Sequence, residues 1–200
     1  MNVDPAVLPG RQAHDLLISA IIPRPIAWVS STDAQGKVNL APFSMFSMVT
    51  WNPATLSISV VNRPDGTPKK TLLNIRETGD FVVNVVSEEL AAKMAESAAA
   101  PSGNAGKAQA LRISLAPSDC VTAPRVLQAR VAFECVLDRI VIVGSGADAG
   151  NLILGNIKSV YVDDGVMDSR GAVDWLKLRA VGRLGGAKYC RIDSVFEIES

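Results

Sequence analysis

Residues 26–61 contain several strand-like segments and leave no room for helices between them. Residues 26–31 form an apolar run that becomes polar, residues 33–37 have the composition of a turn, and residues 38–42 are again extended, so a β-hairpin is predicted. Residues 55–61 alternate polar and apolar side chains with the period of two expected for a half-buried strand. A doubly wound α/β sheet needs a helix between most successive strands. The chain is therefore predicted to be mainly β, a β-barrel or sandwich with helical decorations.

The rest of the chain adds a loop, two helices and further strands to this prediction. Residues 62–68 are dense in turn formers and predict a loop. A short helix is predicted over residues 69–77, ending near Gly79, and a second from Ser87 to about Ala98. Strands are predicted at residues 80–86, 130–143, 152–162 and 194–199, with a hairpin turn at residues 144–146. Residues 98–109 are small and polar and predict a loop inserted within one domain that covers residues 1–200.

The charge balance excludes several classes of partner. Twenty basic and twenty acidic residues give no net charge, so no overall field draws the chain to nucleic acid or to an anionic membrane.

No apolar run approaches the roughly 18 residues that span a bilayer, and the first residues lack the basic and apolar regions of a secretory signal. Cys120, Cys135 and Cys190 are odd in number and widely spaced, which argues against a disulfide framework. A cytoplasmic protein is therefore expected.

The scarcity of reactive side chains restricts the chemistry. A single histidine, His14, excludes a histidine-rich metal site and argues against a Ser-His-Asp triad. We therefore predict no metal site and no catalytic acid or base, which favours a bound cofactor as the source of any chemistry.

The first candidate binding segment is residues 23–31. Two prolines flank Arg24 and stiffen the entry to the predicted strand, and the paired hydroxyls of Ser30 and Ser31 lie at its exit. These hydroxyls could bind the phosphate or sugar-like oxygens of a cofactor. Alternatively, serines at a strand end simply begin a turn.

The second candidate segment is residues 39–47. Pro42 removes a ladder donor, which predicts an edge strand or a bend at this point. Small Ala41 leaves room for a planar ring, and the backbone of residues 44–46 could face the ring's edge. Alternatively, the aromatic residues of this segment only fill a core.

The third candidate segment is residues 69–74, at the start of the first predicted helix. Helix amides, the Thr71 hydroxyl and the ammonium groups of Lys69 and Lys70 suit a phosphate group. Lys69 and Thr71 are expected to be exposed at this helix start. Alternatively, the lysine pair is a solvated surface. The glycine-rich fingerprints of a Rossmann site or a P-loop are absent, because residues 144–146 lack the required third glycine.

In their order, these segments resemble the flavin reductase-like, FMN-binding split-barrel family. The resemblance is carried by residues 23–31, 39–46, 69–75 and 79–84, and later by residues 124–125, 133–135, 160–164 and 183–191. It spans roughly residues 10–198 and is closest to the flavoredoxin-like branch. The chain departs from the family in two places. Residues 98–109 are short and alanine-rich, which leaves the substrate preference open, and Lys70 replaces an acid that relatives frequently carry, an added positive charge that would tighten phosphate binding.

The resemblance implies a Greek-key split barrel that forms a homodimer with FMN near the subunit interface. Phosphate and ribityl groups would contact the two serines, Lys69 and Thr71, Asn74 would support the helix, and residues 41–46 would line the flavin ring. The expected cofactor-binding residues are Arg24, Ser30, Ser31, Ala41, Pro42, Phe43, Ser44, Phe46, Lys69, Thr71 and Asn74. Phe46, Trp51 and Tyr189 are expected at the shared surface, and the role of Arg183 is open.

The implied activity is hydride transfer from NAD(P)H to flavin, after which the reduced flavin serves an electron acceptor or a partner oxygenase. FMN is expected to bind better than FAD, because a second phosphate-binding loop is missing. A second class of function is a flavin-binding electron carrier or sensor without useful reductase activity. A third class of function is the binding of haem or of a pyridoxal-type cofactor, as in related split barrels. The single histidine disfavours haem binding.

Overall fold

The computed structural model describes residues 1–99 and 107–198. Its main element is a seven-stranded antiparallel sheet with the order β2-β1-β5-β8-β9-β4-β3. The strands of this sheet are β1 (Ala27–Thr32), β2 (Val38–Phe43), β3 (Phe46–Trp51), β4 (Ala54–Val61), β5 (Asp80–Val85), β8 (Val131–Val143) and β9 (Gly150–Val162). Two short hairpins pair β6 (Leu115–Ala116) with β7 (Arg125–Val126) and β10 (Val181–Gly185) with β11 (Lys188–Arg191).

The connection between the two edge strands curls this sheet into a barrel. β2 and β3 lie at opposite edges, yet only residues 44 and 45 separate them along the chain. The edges must therefore approach each other, and the Ser59 amide donates to the Met45 carbonyl at 2.8 Å. β4 lies beside β9, followed by β8 and β5, which is the Greek-key order. The prediction of a mainly β, split-barrel fold is confirmed, and the doubly wound alternative is wrong because the pairings of the described sheet are antiparallel.

Two apolar cores explain why β1 is buried on both faces. Val29 points into the barrel, where it joins side chains such as Ile58 and Phe81. Trp28 points the other way, into a second core with Leu40 and other residues outside the barrel. Alternate side chains of one strand thus serve two cores.

Five helices lie around the barrel in the described residues: α1 (Gly10–Ala20), α2 (Lys70–Thr78), α3 (Ala91–Ala99), α4 (Lys107–Ala110) and α5 (Trp175–Leu178). The α2 helix ends at Gly79, which takes the left-handed conformation with φ 75°. Its Leu72 and Ile75 are buried in the barrel core. Within the described residues, none of the helices has the length and apolar composition needed to cross a bilayer.

The hairpin of β1 and β2, the strand β4, the long hairpin of β8 and β9 and the helix α2 confirm the sequence predictions. The predicted strand at residues 194–199 is wrong, since residues 194–198 have no regular structure and residue 199 lies outside the described part. The predicted loop at residues 98–109 is only partly tested. The helix α3 extends to Ala99 and α4 begins at Lys107, whereas residues 100–106 lie outside the described residues.

Candidate functional site

A cavity of about 330 Å³ opens between the start of α2, the strand β2 and the helices α3 and α4. Its volume falls at the lower end of the range of small-molecule sites. It is lined by Asn39, Ala41, Pro42, Phe43, Arg63, Lys69, Lys70, Thr71, Ala98 and Lys107. Four of these ten side chains are cationic, so a cavity suited to an anion occurs in a chain without net charge.

The start of α2 contributes backbone donors to this cavity. Lys69 occupies the N-cap position in an extended conformation and makes no capping hydrogen bond with its side chain. The first amides of the helix therefore have no side-chain acceptor from the cap, which is the arrangement that favours anion binding. The preceding loop is braced by Arg63, whose guanidinium donates to the Pro68 carbonyl.

The cations of the cavity differ in their surroundings. Lys70 forms an ion pair with Asp33 at 3.1 Å. Burial, and secondly the charge of Arg63, lowers the pKa of Lys69. Burial also lowers the pKa of Lys107, with further contributions from Arg63 and Lys69. Arg63, Lys69 and Lys107 therefore form a group of mutually repelling cations, which an anion would stabilise.

Thr71 lines the cavity, but it is a buried residue with 1% exposure. Its hydroxyl accepts a hydrogen bond from the side-chain amide of Asn39 at 2.8 Å. The sequence had predicted an exposed helix start, and for Thr71 that expectation is wrong. The reason is that the first turn of α2 packs against β2, which carries Asn39.

Ser30, Ser31 and Asn74 are buried and do not line the cavity. The amide of Asn74 donates to the hydroxyl of Ser31 at 3.2 Å, and this contact connects α2 to β1. The hydroxyl of Ser30 donates to the Pro124 carbonyl and accepts from the Asn84 amide. Asn74 and Ser31 thus hold α2, whose start lines the cavity, against β1, whereas Ser30 joins β1 to β5 and to Pro124.

A second cavity of about 290 Å³ adjoins the first across Pro42, Phe43 and Ala98, which line both. Its walls are mostly apolar and include Ile18, Ile26, Met45 and Met94, together with His14, Arg24, Ser44 and Arg183. Phe46 lines neither cavity and packs against the barrel core. The pair of cavities suits an elongated ligand with an anionic group at one end and a planar apolar ring at the other.

Arg24 is 7% exposed, and its Nε and Nη1 groups donate hydrogen bonds within the protein. Its guanidinium donates to the carbonyls of Ile18 and Ile21, which end α1, and to the Ser44 hydroxyl at 3.3 Å. Burial, and secondly the charge of Arg183, lowers its pKa. Arg24 therefore fixes the wall of the second cavity.

Arg183 lies on the rim of the second cavity and is fixed by Tyr189. Its guanidinium donates to the Tyr189 hydroxyl at 2.5 Å and lies 4.8 Å from the centre of that ring. In the described part of the chain, no group of three or more His, Cys, Asp or Glu side chains could hold a metal ion.

The sequence reasoning missed Arg63 and Lys107 as cavity residues. Arg63 precedes the Pro-Asp-Gly turn before α2, so its nearness to Lys69 along the chain was the available signal. Lys107 had no such signal, because it follows a segment without hydrophobic period and comes close to Lys69 only in the folded chain.

A family model and several solved structures are similar to this chain. The family described as "Flavin reductase like domain" matches residues 19–177. Nitrilotriacetate monooxygenase component B from Bacillus cereus is 30% identical with a TM-score of 0.93, covering 99% of this chain and 98% of that chain. Pseudomonas fluorescens 2-nitrobenzoate 2-nitroreductase is 29% identical with a TM-score of 0.88, covering 100% of this chain and 96% of that chain. A Shewanella frigidimarina protein with a split barrel domain shares the fold. It is 21% identical with a TM-score of 0.85, and the match covers 100% of this chain and 99% of that chain.

Proposed function

This chain belongs to the flavin reductase-like family of split-barrel proteins, and we propose that it is an FMN-binding oxidoreductase that transfers hydride from NAD(P)H to flavin. The observation that carries the proposal is the pair of adjoining cavities, one cationic and one mostly apolar, which share Pro42, Phe43 and Ala98. FMN combines a phosphate with a planar ring, and the two cavities offer each part a matching environment.

The residues present fit this cofactor. Lys69, Arg63 and the amides at the start of α2 would hold the phosphate, and Ala41, Pro42 and Phe43 would lie along the ring. Bound flavin supplies the redox chemistry, so the protein's part is to bind, orient and shield its ligands. Thr71, Ser31 and Asn74 would act by holding α2 against β2 and β1, and Ser30 by joining β1 to β5.

A direct test combines spectroscopy with nicotinamide oxidation. The purified protein, titrated with FMN, is expected to bind the flavin, and NADH or NADPH oxidation followed at 340 nm is expected only when FMN is present. FMN binding without nicotinamide oxidation would support the alternative function, a flavin-binding electron carrier or sensor. Absence of FMN binding would refute the proposal.

We further propose a homodimer whose reduced flavin serves an oxygenase or another electron-acceptor protein. The support for a dimer is the apolar surface of the edge strand β3, where Met48, Val49 and Trp51 are exposed. The support for an oxygenase partner is the similarity to a monooxygenase component. We also propose a cytoplasmic location, since all three cysteines are free thiols.

A further inference from the structure

The second cavity carries positive charge that an uncharged flavin ring does not need. Arg24 and Arg183 line it together with His14, and the described residues that line it include no carboxylate. Within residues 1–99 and 107–198, neither arginine forms an ion pair. Burial lowers the pKa of Arg24, and the charge of Arg183 lowers it further, so the two guanidinium groups repel each other. Such a pair of cations beside an apolar cavity favours an anionic ligand.

We infer that Arg183 recognises an anionic oxygen group of the second substrate, the molecule that meets the flavin ring in the second cavity. The inference rests on the proposed function and deepens it, because the FMN phosphate is assigned to the first cavity. Two sources offer the required chemistry: the phosphate groups of a nicotinamide nucleotide and the carboxylate of a small organic electron acceptor. A guanidinium group suits both, since its planar fork of N–H groups matches phosphate and carboxylate oxygens.

The backbone of Arg183 is held firmly at the cavity. Arg24 and Arg183 form an antiparallel bridge in which each amide donates to the other residue's carbonyl, at 3.0 and 2.8 Å. The neighbouring Gly182 lies so close to this segment that a Cβ would come within 2.8 Å of Pro23 and 2.9 Å of the Cys190 sulfur. The β10–β11 hairpin is thus packed tightly against the segment that precedes β1, which fixes where the Arg183 side chain begins.

The Arg183 side chain is also positioned, and it still has donors to offer. One terminal nitrogen donates to the Tyr189 hydroxyl at 2.5 Å, and the other donates to the Gly186 carbonyl. Tyr189 packs against the second core, which holds this support in place. A guanidinium group has five N–H donors, and the described residues accept two of those of Arg183. The others remain for a ligand.

The other basic residues of the second cavity have different surroundings. Arg24 is buried, and its guanidinium donates to main-chain carbonyls at the end of α1. His14 has a partner, because its Nδ1 lies 3.0 Å from a carboxylate oxygen of Asp15. Arg183 is partly exposed at the rim and has no carboxylate partner within the described residues, so it is the cation that an incoming anion can reach.

Calorimetric titration of the FMN-loaded, full-length protein tests the inference with ligand pairs that differ in an anionic group. Benzoate is compared with benzamide, and nicotinamide mononucleotide with nicotinamide riboside, because none of the four donates hydride. The wild type is expected to prefer the anionic member of at least one pair by about tenfold or more. Arg183→Met should abolish this preference and change the affinity for the neutral members less than about twofold. Arg183→Lys should restore part of the preference, because an ammonium group keeps the charge without the fork geometry.

Two controls separate ligand recognition from flavin binding and from the overall charge. Lys188→Met removes an equal charge from an exposed position of the same hairpin, and Lys188 lines neither the first nor the second cavity. It should change each affinity less than about twofold. FMN titration of the apo-proteins should give the same affinity for the wild type and Arg183→Met, because the phosphate is assigned to the first cavity.

The outcomes distinguish the two sources and separate this inference from the proposed function. A preference for the mononucleotide identifies the nicotinamide substrate as the source of the anion, and a preference for benzoate identifies a carboxylate acceptor. If the wild type has no preference in either pair, if Arg183→Met retains it, or if Arg183→Met weakens FMN itself, the inference is wrong while flavin binding stands. A wild type that binds no FMN refutes the proposed function. Each preference is a ratio within one variant, so a loss of stability in Arg183→Met does not obscure it.

Discussion

Thr71 and Lys69 lie two residues apart at the start of α2 and have different surroundings. Thr71 accepts a buried hydrogen bond from Asn39, whereas Lys69 is half-buried near other cations. Thr71→Val should therefore lower the stability of the apo-protein by about 1–3 kcal/mol, because the Asn39 amide loses its acceptor. Lys69→Met should weaken FMN about tenfold or more without destabilising the apo-protein.

Urea unfolding of the apo-proteins and FMN titration measure the two effects separately. Bound FMN must be absent from the unfolding experiment, because a ligand stabilises the folded state by mass action. A Thr71→Val protein as stable as the wild type would show that the Asn39 contact contributes little.

Gly155 is a position where the barrel core tolerates no side chain. It lies in β9 opposite Leu56 and Leu137, and a Cβ there would come within 2.5 Å of the Phe81 ring, which is fully buried. Gly155→Ala is expected to destabilise the protein by about 1–3 kcal/mol through overpacking. When Phe81→Leu is added to Gly155→Ala, the double variant should lose less stability than the sum of the two single variants. Unfolding curves of the two single variants and the double variant test this coupling.

At the scale of elements, Glu88 joins the β10–β11 hairpin to the rest of the fold. Its carboxylate forms ion pairs with Arg179 and Arg191, both at 2.5 Å. Hydrogen bonds from Arg191 and then Arg179 lower the pKa of Glu88 from 4.5 to about 2. A lowered carboxyl pKa stabilises the folded state above the unfolded pKa, and this contribution is lost as the pH falls through the folded pKa.

The unfolded pKa of 4.5 and the folded pKa of about 2 define the pH range in which Glu88 changes the stability of the protein. The difference in melting temperature between the wild type and Glu88→Gln should be largest above about pH 5 and should shrink as the pH falls from 4.5 to about 2. Glu89→Gln, which removes a neighbouring exposed carboxylate 3.6 Å from Arg130, is the control and should have a small effect. A difference that stays constant down to pH 2 would contradict the role of the Glu88 charge.

The predictable elements were those with at least one buried face. β4 alternates polar and apolar residues because one side faces the barrel, and α2 ends at a glycine that adopts positive φ. β3 was missed because most of its residues are exposed and no alternation of period two exists. α1 was missed because none of its residues is buried and no side chain caps its start. Residues 194–198 have strand-like side chains but no neighbouring strand, and propensity alone does not form a ladder.

The candidate site was predictable in outline and not in the roles of its residues. The motifs at Ala41–Phe43 and Lys69–Thr71 do meet at one cavity, although far apart along the chain. The burial of Ser30, Ser31 and Asn74 could not be foreseen, because hydroxyl and amide groups serve equally well as ligands of a phosphate or as partners in a core. Lys107 joins the site only through tertiary packing.

At the scale of the whole molecule, the apolar surface of the sheet edges favours association. Within the described sheet β3 pairs only with β4, and it exposes Met48 by 64%, Val49 by 52% and Trp51 by 83%. Of the three residues expected at the shared surface, Trp51 is the exposed one. Phe46 packs against the barrel core and Tyr189 bonds to Arg183.

The expected homodimer can be tested by placing a charge on β3. The wild type should sediment as a dimer, because an uncovered apolar edge strand is a site of association. Val49→Lys should weaken the dimer at least about tenfold, since a lysine buried at an apolar interface loses its hydration. Leu127→Lys places the same charge on another half-exposed apolar residue, 50% exposed and directly after β7, and should leave the dimer intact. Sedimentation velocity over a range of concentrations measures both, and FMN titration of the dissociated variant should show weaker binding. A wild-type monomer that retains full FMN affinity at every concentration would contradict both the dimer and its contribution to the site.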